Sequence, residues 1–266
     1  MGKFRIEKLK SYLSKSFSDV QTVVETGTFK GESTEIMANH FKRVITIELD
    51  DVMYNETSSK LLNKGYKNIE FKKGDSGEII QNLVEELKEP TVFFLDAHWS
   101  GDNSVNWEKG EWKGYGINTA HLGKTIRPSG HEQVPMDREI RAIAERFTNK
   151  GAVYIDDLVN FDFWGKGLKN RNFEGEDYSH LDLRDIRKVF GNRLIDWVNL
   201  EVQLIIKFDK IPENEEERKK QELYFQGAFR RKLIFRTSLR ILKRIFVIPF
   251  VRLYWKIYKS IEAALK

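Results

Sequence analysis

The sequence predicts an α/β protein: a doubly wound, mostly parallel seven-stranded sheet, a C-terminal antiparallel hairpin, and a basic amphipathic helical tail beyond it. Three observations lead there. Short runs rich in β-branched and aromatic residues alternate with helix-length amphipathic runs over residues 18–210, the pattern of parallel strands joined by crossover helices. Several of those strand-like runs end in Gly, Ser or acidic residues, and in open parallel sheets the ligand sits beyond the carboxyl ends. The last 39 residues, 228–266, carry eleven Lys/Arg and one acid, Glu262, while residues 1–227 carry 34 Lys/Arg against 39 Asp/Glu. The overall +5 therefore averages a mildly acidic body with a strongly basic appendage.

The elements follow in order. Residues 3–17 read as a lead-in helix. The first strand, 20–25, runs into Thr26-Gly27-Thr28, and 33–41 is helical. The second strand, 44–48 (VITIE), is apolar enough to be buried on both faces and ends in Glu48. Residues 54–64 are helical, and 69–72 is a strand ending in Gly74-Asp75-Ser76. Residues 79–87 place apolar side chains at helical spacing. The fourth strand, 91–95 (TVFFL), ends in Asp96. Residues 135–147 are helical, 152–155 is a strand ending in Asp156-Asp157, and 183–190 is helical. Runs 194–198 and 202–208 suit a closing hairpin. Residues 99–134, rich in Gly, Trp, Asn and His without a period, read as a substrate loop or lid. Residues 1–211 then form one domain, 212–227 a charged linker, and 228–266 the tail.

Composition narrows the chemistry. Hydrophobic residues at 40% and aromatics at 12% supply a substantial core and exclude global disorder. The absence of cysteine excludes disulfides, thiolate nucleophiles and Cys-ligated metal sites, leaving carboxylates and histidine to carry any reaction. The N-terminal stretch has no apolar core of signal-peptide length, and the longest apolar run in the tail, 245–251, is seven residues interrupted by Pro249. A bilayer span needs roughly 20. A cytoplasmic location is expected.

Residues 25–34, ETGTFKGEST, follow a strand and open a helix, where glycines allow a tight turn and close approach to a ligand. Glu48, about 20 residues on, is placed to accept hydrogen bonds from a ribose diol. Asp75 and Ser76 end the third strand, where an adenine could be held. A dinucleotide site prefers G-x-G-x-x-G and a P-loop requires Gly-Lys-Ser/Thr; neither is present. With these residues the chain resembles the class I S-adenosylmethionine-dependent methyltransferases, over about residues 18–210, and that resemblance implies a Rossmann-like fold. It also implies a cofactor site made of Glu25, Thr26, Gly27, Thr28, Gly31, Ser33, Thr34, Glu48, Asp75, Ser76 and Asp96, with S-adenosylmethionine as cofactor.

Asp96 after strand four and Asp156-Asp157 after strand five form a set of carboxylates that would repel one another unless a cation neutralises them, and hard oxygen ligands suit Mg2+. The set resembles that of the metal-dependent O-methyltransferases of the catechol and sugar type, which implies a divalent ion on Asp96, Asp156 and Asp157. His98 is the preferred base by its intrinsic pKa, with Asp96 the alternative; His121, His131 and His180 are also available. Trp99, Trp107, Trp112 and Tyr115 suit either a sugar or aryl substrate or a lid packed on its own aromatics. Residues 135–140 (PMDREI) resemble the segment that opens the next helix in related enzymes.

In the tail, Phe235, Leu239, Leu242, Phe246, Phe250, Leu253, Ile257 and Ile261 recur every three or four residues, with Arg and Lys between them. That suits a helix lying on an anionic membrane surface. Docking on the chain's own domain, self-association, or nucleic acid are the alternatives, and the dense apolar stripe disfavours the last. Residues 222–227 (ELYFQG) resemble a viral-protease cleavage site without its usual Asn, which leaves open whether the tail is native. The expected function is divalent-metal-assisted O-methylation of a hydroxylated acceptor, such as a lipid-linked saccharide, on the inner face of the membrane. The alternatives are a metal-independent nucleic-acid or protein methyltransferase, and a non-catalytic scaffold whose tail binds a partner.

Overall fold

The inner strands of the central sheet are buried because nearly every residue in them is apolar or hydrogen-bonded, whereas the edge strand at 69–73 buries only Ile69. In the computed structural model, which describes residues 4–13, 17–97, 135–156, 188–200 and 203–227, the chain divides into two compact units, Met1–Pro212 and Glu213–Lys266. The first opens with α1 (Ile6–Leu13), which buries Ile6, Leu9 and Leu13 and starts at Ile6, after the expected start at residue 3. Strands β1 (Thr22–Thr26), β2 (Arg43–Glu48), β3 (Ile69–Lys73), β4 (Thr91–Leu95) and β5 (Gly151–Ile155) run parallel. They alternate with α2 (Glu32–Ala38), α3 (Asp51–Asn63), α4 (Ser76–Glu86) and α5 (Met136–Arg146). Two further strands, β6 (Leu194–Leu200) and β7 (Gln203–Phe208), pair antiparallel, and β7 adds antiparallel to β5. The sheet order is β3-β2-β1-β4-β5-β7-β6.

Period-two alternation sorts the strand side chains onto two faces. Val23, Val44, Val92, Phe94, Ala152, Tyr154 and Ile205 join α1 and Met37 of α2 in one core. Phe4 of the lead-in segment meets Phe94 edge-on at 5.0 Å and Tyr154 at 5.3 Å. Phe93 points the other way and meets Phe147, just after α5, edge-on at 5.1 Å. Burial on both faces explains why these strands read as continuous apolar runs.

Helix starts are set by local chemistry. Asp50 caps α3 by accepting from the Val52 and Met53 N–H groups, both at 2.8 Å. Asp75 caps α4, accepting from Glu78 N at 3.2 Å. Helix α2 instead starts from Gly31 in the left-handed region (φ 73°), without a side-chain cap.

In the second unit, the charged stretch expected as a linker is helical over 215–227. Asn214 Oδ1 accepts from Glu217 N at 2.9 Å, and exposed pairs Glu215–Arg218 and Glu216–Lys220 line the helix. Such i,i+3 and i,i+4 pairs favour a helix where a charge-rich sequence alone suggests a linker. Residues 99–134, most of the expected helix at 183–190, and the tail at 228–266 lie outside the described residues.

Candidate functional site

The site is built where the strands stop. The hydrogen-bond ladder continues past each strand end and draws the following residues onto one edge. Gly27 N donates to Ile47 O (3.0 Å), Gly74 N to Glu48 O (2.9 Å), Asp96 N to Thr26 O (3.2 Å) and Asp156 N to Leu95 O (3.2 Å). The chain order reverses between β1 and β4, so this edge contains the switch point at which open α/β sheets bind ligands.

The glycine loop sits directly on that point. Gly27 has φ 84°, and a Cβ there would lie 2.8 Å from the Asp96 carbonyl oxygen, so the position requires glycine both for its backbone and for the approach of β4. Phe29 also takes a positive φ, 50°, rare for a non-glycine residue. Three contacts hold it there. Its N–H donates to Glu48 Oε2 at 2.7 Å, and its carbonyl accepts from Thr57 Oγ1 at 2.5 Å. Beside it, the Lys30 carbonyl accepts from Lys60 Nζ at 2.8 Å. Glu48 Oε1 accepts from Asp50 N at 2.9 Å. Burial still pushes the Glu48 carboxyl above the usual carboxylate range, against these two N–H donors.

Beneath the loop lies a hydroxyl–carboxyl cluster. Glu25 Oε2 accepts from Thr34 Oγ1 (2.5 Å) and Thr46 Oγ1 (2.7 Å), and the Thr28 and Thr46 hydroxyls lie 2.5 Å apart. Thr46 has one proton, and with that proton on Glu25 the Thr28 hydroxyl is the donor to Thr46. Glu25 is 1% exposed, and its Oε1 has no hydrogen-bond partner among the described residues. Burial pushes its carboxyl up to about 8.

These positions divide the expected cofactor residues in two. Gly27, Ser33 and Asp96 are half-buried. Glu25, Thr26, Thr28, Gly31, Thr34, Glu48, Asp75 and Ser76 are buried. Gly31 is required by the fold as well, since a Cβ would lie 2.6 Å from Thr57 Cγ2. Asp75 faces the protein's own donors: besides capping α4 it accepts from Arg138 Nη2 at 3.2 and 3.3 Å.

Of the expected metal set, Asp96 and Asp156 follow the neighbouring strands β4 and β5. Asp156 is 1% exposed, and its Oδ1 accepts from Gln203 Nε2 at 3.1 Å. Gln203 Oε1 in turn accepts from the Tyr154 hydroxyl, whose pKa burial pushes up to about 12. Asp157 and the expected base His98 lie outside the described residues, as do His121, His131, His180 and the aromatic loop. Among the described residues no group of three His, Cys, Asp or Glu is close enough to hold a metal ion.

Three residues not expected from the sequence take part. Gln203 anchors Asp156. Arg193, 7% exposed, donates to the carbonyls of Ala144, Phe147, Asn149 and Asp209. Glu139, in the first turn of α5, is 1% exposed. A charged residue within the apolar stripe Met136–Ile140–Ile143 is the signal that could have exposed Glu139.

No protein-family model and no curated protein matches the chain in sequence. Among solved structures it is similar to a candidate caffeoyl-CoA O-methyltransferase from Staphylococcus aureus, at 15% identity over 79% of this chain and 85% of that one, TM-score 0.46. It is also similar to an rRNA methylase from Streptococcus thermophilus, at 17% identity over 80% and 99%, TM-score 0.38. A candidate methyltransferase from Streptococcus mutans in complex with SAH matches at 16% identity over 78% and 99%, TM-score 0.43.

Proposed function

We propose that this chain is an S-adenosylmethionine-dependent methyltransferase that modifies a hydroxyl group. The observation that carries the reading is the Phe29 N–H···Glu48 hydrogen bond. It ties the glycine loop after β1 to the acid ending β2, at the edge where the strand order reverses. A mostly parallel seven-stranded sheet closed by an antiparallel hairpin is also what the sequence predicts. The fit to the cofactor rests on the buried carboxyl oxygens of Glu25 and Glu139 that lack well-formed hydrogen-bond partners among the described residues, because they suit a ligand rich in hydrogen-bond donors and carrying positive charge.

When bound, S-adenosylmethionine supplies an electrophilic methyl group on a sulfonium. The chain's own residues do the rest. Glu48, already oriented by two backbone donors, retains lone pairs for the ribose hydroxyls. The backbone at Gly27 allows close approach of the methionine end. Glu25, Thr34 and Thr46 hold the loop from below. Asp96, half-buried just after β4, would orient the acceptor hydroxyl, with His98 the proposed base.

Asp96, Asp156 and Asp157 would hold a divalent ion, whose Lewis acidity would lower the pKa of the acceptor hydroxyl. Turnover of a hydroxylated acceptor, measured after chelation and again with added Mg2+, tests this. Activity restored by Mg2+ and lost in Asp96→Asn supports metal assistance, and activity unchanged by chelation removes it.

The proposed acceptor is a lipid-linked saccharide at an anionic membrane surface, reached through the +10 tail at 228–266. Among the described residues no helix is long and apolar enough to cross a membrane. Flotation with vesicles containing anionic lipid, with and without residues 228–266, checks the surface association: the full chain floats and the shortened chain does not.

A further inference from the structure

Glu139 is a carboxyl group buried in the fold, 1% exposed. Neither of its oxygens has a well-formed hydrogen-bond partner among the described residues, and only weak contacts from two hydroxyls reach it. The hydroxyls of Thr26, the last residue of β1, and Ser76, the first of α4, face it, together with the carboxylate of Asp75 and the guanidinium of Arg138. Arg138 bridges both Asp75 oxygens, so its charge is shared with another acid. Burial, the largest influence, pushes Glu139 up to about 7. A buried carboxyl without a strong partner costs stability, and a helix stripe of Met136, Ile140 and Ile143 would accept an apolar side chain at this position without that cost.

Its location suggests what the cost serves. Thr26 precedes Gly27, and the Thr26 carbonyl and hydroxyl both accept from Asp96 N, at 3.2 and 3.4 Å. Glu139 therefore stands at the junction of β1, β4 and α4, beside the switch point and on the far side of β1 from the Glu25 cluster, since Glu25 and Thr26 project to opposite faces. Resting on the cofactor reading above, we propose that Glu139 is a cofactor-binding residue whose carboxylate accepts a hydrogen bond from a nitrogen donor of the bound adenosyl cofactor. That donor is the exocyclic amine of adenine or the ammonium of the amino-acid end. Either is matched by a buried carboxylate acceptor that only weak hydroxyl contacts share.

The test uses the full chain and Glu139→Gln, nearly isosteric but unable to carry the charge. Two quantities are measured: the thermal midpoint without ligand, and calorimetric affinity for three probes. S-adenosylhomocysteine has both nitrogen donors, 5′-methylthioadenosine lacks the amino acid, and S-inosylhomocysteine lacks the exocyclic amine. The expected result is an unliganded midpoint equal to or above wild type, with affinity for S-adenosylhomocysteine lowered about tenfold or more, as for loss of a charge-assisted hydrogen bond. If adenine is the donor, the loss persists for methylthioadenosine and vanishes for the inosine analogue; if the ammonium is the donor, the pattern reverses. Unchanged affinity for all three overturns the proposal. So does a midpoint that falls together with affinity, which marks a structural role. A wild-type chain that binds none of the probes overturns the cofactor reading itself and this inference with it.

Discussion

Gly27 meets two demands at once: a backbone in the left-handed region, and room for the Asp96 carbonyl 2.8 Å from where a Cβ would be. Gly27→Ala is expected to lose about 1–2 kcal/mol to the backbone conformation and about 1–3 kcal/mol more to the overpacked contact. Denaturant titration reads the sum, and an unchanged midpoint would mean that the loop adopts another path. Glu48 is a different case, because its two oxygens hold Phe29 and Asp50 from one side chain. Glu48→Ala leaves both N–H groups without that acceptor and frees the loop. Its affinity for S-adenosylhomocysteine is expected to fall at least about tenfold, with a smaller loss for Glu48→Gln, which keeps one carbonyl acceptor. Loop and acid were both legible in the sequence, because glycines after a strand and an acid about 20 residues later form a local pattern. Glu139 was less so: an acid in a helix's first turn is favoured there by the helix dipole, and its place within the apolar stripe of α5 is the one sequence sign of its burial.

At the scale of elements, strands were the most legible, and for a physical reason. Strands buried on both faces must be apolar throughout, so β2 and β4 stand out as VITIE and TVFFL. Helix boundaries were less so, because they are set by caps. Expected starts at 54 and 79 moved to Asp51 and Ser76 once Asp50 and Asp75 were seen to cap them. The anchoring of α5 was not legible at all, since it depends on Arg193, 47 residues beyond the end of the helix. Its guanidinium gathers the Ala144, Phe147 and Asn149 carbonyls at the C-terminal end of α5 and the Asp209 carbonyl after β7, and burial lowers its pKa to about 10. Arg193→Lys keeps the charge but cannot reproduce the planar fork, leaving several buried carbonyls under-satisfied. A destabilisation of roughly 2–4 kcal/mol is expected from the cost of unpaired buried acceptors. Hydrogen exchange would show increased opening in α5 before the central strands.

At the scale of the molecule, three buried acids, Glu25, Glu48 and Glu139, shape the response to pH, since burial raises the pKa of each. Glu25 and Glu139 have folded-state pKa values pushed up to about 8 and about 7, against an ordinary value of 4.5. Between those limits the folded chain holds more protons than the unfolded chain, so stability falls as pH rises from about 5 to about 8 and levels off above. Thermal midpoints across that range should decline for wild type and decline less for Glu25→Gln and Glu139→Gln. The charge distribution, +10 in residues 228–266 against −5 elsewhere, was plain in the sequence. Its purpose depends on an apolar stripe whose covering surface no sequence pattern specifies.

The central claim is that the edge formed by Gly27, Phe29 and Glu48 binds an adenosyl cofactor. Calorimetric titration of the full chain with S-adenosylmethionine tests it most directly, with Glu48→Ala measured alongside. Saturable one-to-one binding by wild type, weakened at least about tenfold in the variant, is the predicted result. No binding by wild type, or equal binding by both, would contradict it.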